Sequence, residues 1–92
     1  MSNPTITDFL FDDDNEEKIA RHGISPRQVL QILDDEHVIA ANRGKRRGAY
    51  LVIGRDHGGA WISVPVEPTH VPTLWRPITA WPSKKHERAQ LG

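Results

Sequence analysis

The stretch Ala20-Arg21-His22-Gly23-Ile24-Ser25-Pro26-Arg27-Gln28-Val29, "ARHGISPRQV", closes one helix and opens another within four residues. Gly23 suits the position after a helix, because it enters the left-handed region without a Cβ clash. Ser25 can accept from first-turn amides, and Gln28 stands three residues on, as in a capping box. Pro26 falls at the first helical position, where a missing donor costs nothing. Ile24 and Val29 have the spacing of a hydrophobic staple. A helix over Pro26 to Asp34 follows, with Val29, Leu30, Ile32 and Leu33 as its core stripe. The helix before it runs from Asn15 to His22, capped by Asp14 with Glu17 at its third position. Only Ile19 and Ala20 offer it apolar packing, so its stability must come from neighbours.

Outward from this corner the period changes. "DFLF" (8–11) reads as a short strand before the first helix. "HVIAAN" (37–42) is a strand, followed by the basic link Arg43-Gly44-Lys45-Arg46-Arg47-Gly48. "AYLVIGR" (49–55) and "AWISVPV" (60–66) flank Asp56-His57-Gly58-Gly59, a hairpin turn. A turn centred on His57-Gly58 sets Ile53 opposite Ile62 and Leu51 opposite Val64, all four on the face that meets the helices. Tyr50, Val52, Trp61 and Ser63 then take the other face. "LWRPITAW" (74–81) is a last strand, an edge or a bulged one, because Pro77 cannot donate to a ladder. The tail from Pro82 onward can form a short helix capped by Ser83. The order β-α-α-β-β-β-β indicates an α+β domain with two N-terminal helices on one face of a small antiparallel sheet.

Ninety-two residues make one domain, with 1–6 and 89–92 expected to be loose. A chain of this length buries about 60–65% of its unfolded surface, so the core is modest. With no cysteine there is no disulfide framework and no thiolate metal site. The N-terminus lacks the basic start and apolar run of a signal peptide, and no apolar stretch reaches about 18 residues, so a cytoplasmic protein without membrane contact is expected.

Net charge is zero, yet the halves differ: residues 1–36 hold nine acids and three bases, and residues 37–92 hold nine bases and three acids. Either the halves neutralise each other, or the basic half faces a polyanion. The five histidines show no ligand spacing, so no metal and no cofactor are expected. Asp12-Asp13-Asp14 lacks the glycine and distal Glu of a calcium loop and reads as a dipole-friendly helix start. Gly58-Gly59 follows a strand but opens no helix, which makes it a turn and not a phosphate loop.

Several blocks together resemble one family. Phe11-Asp12, Asn15, His22-Gly23-Ile24-Ser25, and Arg76-Pro77-Ile78-Thr79-Ala80 with Glu87 behind it are similar, in order and spacing over about residues 7–88, to the BrnT family. These are small toxins of type II toxin–antitoxin pairs with a RelE-like fold. The resemblance implies metal-independent cleavage of RNA and a cognate antitoxin partner, with a homodimer or a toxin–antitoxin hetero-oligomer as the assembly. Cleavage of this kind uses the RNA's own 2′-hydroxyl, and needs proton transfer and cations around phosphorus. His22 is the acid or base on this reading, since imidazole titrates nearest neutrality; it also sits where a helix end favours a cation. Arg76 is the phosphate clamp and Glu87 a base or an orienting group. RNA-binding candidates are Arg43, Lys45, Arg46, Arg47, Arg55, Trp81, Lys84 and Lys85.

One departure matters: where the family strand ends Ala-Arg, this chain has Ala80-Trp81. Trp81 either stacks on a base or buries against the tail. Lys18 and Phe11 also depart from the family pattern. A second class therefore stays open, a weak or inactive relative that acts as a protein-binding module.

Overall fold

The structure, a computed structural model, describes residues 3–42 and 48–90. Its elements are β1 (Asp8–Phe9), α1 (Asp13–Arg21), α2 (Pro26–Gln31), β2 (His37–Ala41), β3 (Tyr50–Arg55), β4 (Trp61–Pro68), β5 (Leu74–Pro77), β6 (Trp81–Pro82) and α3 (Lys85–Arg88).

The corner between the helices forms as its residues dictate. Gly23 has φ +73°. Its N–H donates to Ala20 O at 2.9 Å and that of Ile24 to Ile19 O at 3.3 Å, the paired bonds of a Schellman end. Ile19 and Ile24 are both buried behind it. Ser25 Oγ then accepts from Gln28 N–H, and Gln28 Oε1 accepts from Ser25 N–H. The start of α1 differs from the expected one. Asp12, not Asp14, is the cap, and Asn15 takes the return role that Glu17 was expected to fill. Asp12 Oδ1 accepts from Asn15 N–H at 2.9 Å while Asn15 Oδ1 accepts from Asp12 N–H at 2.8 Å. Helix α2 ends earlier than the apolar stripe suggests, because the amides of Ile32, Leu33 and Asp34 bond three residues back and tighten the last turn. Ala20 and Leu30 face solvent, so the packed stripe is Ile19, Val29 and Ile32 with Leu33 partly buried.

The sheet order is β1-β5-β4-β3-β2, with β6 added on β4. It is mixed and six-stranded, not a purely antiparallel sheet, because β1 runs parallel to β5. No hairpin joins those two strands, so nothing in the connection forces them to oppose. The stretch 74–81 is two strands. Pro77 ends β5 opposite Val66, Ile78 N–H turns to Pro65 O, and the chain rejoins β4 at Ile62 and Ser63 as β6.

The central hairpin is one residue out of the expected register. Val52 faces Val64, Gly54 faces Ile62 and Ile53 faces Ser63. Asp56 and Ala60 close a three-residue loop with Gly59 at φ +88°, and Asp56 Oδ1 accepts from Ala60 N–H. A slip of one exchanges the faces. Here it is β3 that turns over: Ile62 and Val64 keep the helix face expected of them, Val52 takes the place of Leu51 and Ile53, and with Val66 these residues join Ile19, Val29, Ile32, Phe9 and Trp75 in the core under the helices. Leu51, Ile53 and Ser63 face the other way, and α3, a third helix beyond the two expected at the N-terminus, packs there against β3. From Asn3 onward the described N-terminal residues are anchored: Ile6 is buried, and Asn3 Nδ2 donates to Ile39 O. Among the described residues no helix is long and apolar enough to cross a membrane.

Candidate functional site

Arg76 projects from β5, where the β4–β5 register sets it opposite Glu67. Its Nε and Nη2 grip both oxygens of Asp12 at 2.7 and 3.1 Å. Its Nη1 donates to Glu67 at 2.9 Å, and Nη2 also reaches Asp14 at 3.4 Å. The Asp12 hydrogen bond raises the guanidinium above its ordinary value, and the Arg76 bond holds Asp12 below the usual carboxylate range. Asp14 is lowered mainly by Lys18 at 3.2 Å. Beneath this pair, fully buried Asn15 donates to the carbonyls of Leu10 and Pro77, both at 2.9 Å. Arg76 and Asn15 thus fasten the start of α1 to the end of β5.

Glu87 lies on α3 and is 2% exposed. Its carboxylate accepts from Lys84 N–H at 2.7 Å, from Trp81 Nε1–H at 3.1 and 3.3 Å, and from the Ser63 hydroxyl at 3.1 Å. Burial pushes the carboxyl up, but the Lys84 amide, the indole and the Ser63 hydroxyl outweigh it, and the net shift is downward. It stands as an enclosed carboxylate facing Ser63, which is itself fully buried.

His22 caps the far end of α1 from Asp12. Nine helical residues lie between Asp12 and His22, a rise of about 15 Å at 1.5 Å per residue, so His22 and Arg76 do not share one site. His22 instead lines a groove of about 560 Å³ with Pro65, Ile78, Thr79, Trp81, Pro82 and Lys84. Four elements converge there: the end of α1, the middle of β4, the β5–β6 link with β6, and the head of α3. The lining holds an imidazole, an ammonium, a hydroxyl and an indole, with no carboxylate. Such a surface can move a proton, hold an anion and receive a flat apolar group.

The remaining expected residues lie elsewhere. Arg55 stacks over Trp61, 5.1 Å from the ring centroid, and lines a different hollow with Asp35, Glu36, Asp56 and His57. Three carboxylates beside Arg55 there do not favour a phosphate. Lys85 is exposed on α3, one residue beyond the groove's Lys84. Arg43, Lys45, Arg46 and Arg47 lie outside the described residues. Ser83, expected to cap the tail helix, bonds Ser63 Oγ at 2.8 Å instead, and the backbone at Lys84 caps α3. Sequence reading missed Thr79, Pro65 and Pro82 as groove residues and Asn15 as a buried tie. Thr79 and Asn15 stand within the sequence blocks noted above; Pro65 reaches the groove only through the strand register.

No protein-family model matches the chain, and comparison with curated proteins returns no match.

Proposed function

We propose that the chain is the toxin of a type II toxin–antitoxin pair, a BrnT-like ribonuclease whose working site is the groove between the end of α1 and β6. The observation that carries the reading is the lining itself: His22 and Lys84 beside an indole, with the nearest carboxylate, Glu87, buried behind it and engaged by hydrogen bonds. In this mechanism the 2′-oxygen of a ribose attacks the adjacent phosphorus, the bond to the 5′-oxygen breaks, and a 2′,3′-cyclic phosphate and a 5′-hydroxyl result. His22 moves the proton, a role worth roughly 10²–10⁴-fold. The Lys84 ammonium holds charge on the phosphate oxygens. Arg76 and Glu87, first expected to be catalytic, act as struts, the one on the α1–β5 joint and the other under Trp81. A cognate antitoxin would inhibit by covering the groove.

The engagement of Arg76 with three carboxylates, and the enclosure of Glu87, favour a second reading: an inert relative that docks a protein partner. Purified chain incubated with RNA in EDTA separates the two. The toxin reading predicts degradation by wild type and its loss in His22→Ala with unchanged melting temperature. A folded, inert wild type leaves the docking module.

A further inference from the structure

We infer that Trp81 is the platform of a nucleobase-stacking subsite, and that Glu87 is the positioning residue that sets the ring. This deepens the RNA reading and rests on it. The indole is half-buried, and its polar edge is turned inward. The N–H donates to a carboxylate that is itself fixed by Lys84 N–H and by Ser63, the strand residue paired with Trp81 in the β4–β6 register. A ring held by its edge through so short a chain of bonds keeps one plane. The same ring lines the groove, whose other walls are Pro65, Ile78 and Pro82. Those walls form a slot for a flat apolar body. The cation at its rim is Lys84, with the His22 imidazole beside it, which fits a flat body that also carries an anionic group such as phosphate. A nucleotide with its base on the indole and its phosphate toward Lys84 satisfies both conditions. Stacking of this kind tolerates every base, because each has a π-face.

The test separates base from phosphate. Fluorescence anisotropy compares wild-type binding of a labelled 2′-deoxy hexanucleotide, which lacks the attacking hydroxyl, with that of an abasic oligomer of equal phosphate count. Stacking predicts at least about tenfold tighter binding of the intact strand, within the range of one stacked base. Trp81→Ala should reduce that ratio to near one, while Trp81→Phe, which keeps a ring but no N–H, retains part of it. Glu87→Gln should lower the ratio and leave the abasic affinity unchanged, which a general loss of fold would not do. Equal binding of both strands by wild type overturns the subsite, and continued RNA cleavage in that case leaves the toxin reading standing. No binding of either strand overturns the subsite, and RNA cleavage in EDTA then decides the toxin reading by itself. A ratio unmoved by Trp81→Ala assigns the base contact elsewhere and overturns the platform.

Discussion

Asn15 concentrates more structural consequence than its position in an acidic run suggests. It closes the capping box with Asp12 and satisfies two carbonyls from the ends of β1 and β5. Asn15→Ala removes the return bond of the capping box and leaves the Leu10 and Pro77 carbonyls without their donor, so a loss of about 2–4 kcal/mol is expected in urea unfolding. Asn15→Asp should keep the acceptor for Asp12 N–H but not the donor to the carbonyls. Arg76 makes a contrasting case with His22. Arg76→Ala leaves Asp12, Asp14 and Glu67 gathered without their cation and should lower the melting temperature. His22→Ala removes an exposed ring and should not. A sequence alone gives Arg76 and His22 equal standing as cationic candidates; only the pairing across 64 residues, from Arg76 back to Asp12, distinguishes them.

At the scale of elements, legibility followed sequence distance. The Gly23–Gln28 corner was readable because every bond in it spans five residues or fewer. Gly23→Ala places a Cβ in open space but at φ +73°, so backbone conformation alone sets the cost, about 1–2 kcal/mol. Gly54 gives the opposite case. Its φ needs no glycine, but a Cβ there would lie 3.0 Å from His37 Cβ and 3.1 Å from Ile32 Cβ. Gly54→Val should therefore force β3 away from the end of α2 and lower the melting temperature further than Gly23→Ala does. The hairpin register was not readable. Asp-His-Gly-Gly serves a two-residue or a three-residue loop, and the bond from Ala60 N–H to Asp56 Oδ1 decides for the longer one. That single residue moved Val52 into the core and Leu51 out to the face under α3. The parallel β1–β5 pairing was equally hidden, since it joins residues more than 60 positions apart. For the candidate site, His22, Trp81 and Lys84 were named from sequence and do meet, Glu87 lies behind them bonded to Trp81 and to the Lys84 amide, and Arg76 and Arg55 answer to other neighbours.

For the whole molecule, the acidic first half and basic second half meet at Arg76, which draws Asp12 and Asp14 onto β5. Other acids of the first half bind cations four residues away, as Glu17 does Arg21. Charge segregation along the chain is thus partly spent within the fold, and Lys84 stays in the groove lining. Asp12, Asp56 and Glu87 are all lowered in the folded state, Asp56 chiefly by the bond from Gln28. The unfolded chain takes up protons at these positions at higher pH than the folded one. Their contribution is fully present above the ordinary carboxylate range, about pH 4–4.5, and is lost as pH falls through the lowered values. Melting temperature should hold level from pH 7 to about 5 and fall below about 4, with a shallower fall in Glu87→Gln. Function at this scale turns on whether the groove between α1 and β6 cuts RNA. Mapping the ends of RNA fragments made by the purified chain in EDTA tests that claim most directly. The account predicts 2′,3′-cyclic phosphate and 5′-hydroxyl ends that vanish with His22→Ala. Intact RNA from a folded wild type, or cleavage that survives His22→Ala, would contradict it.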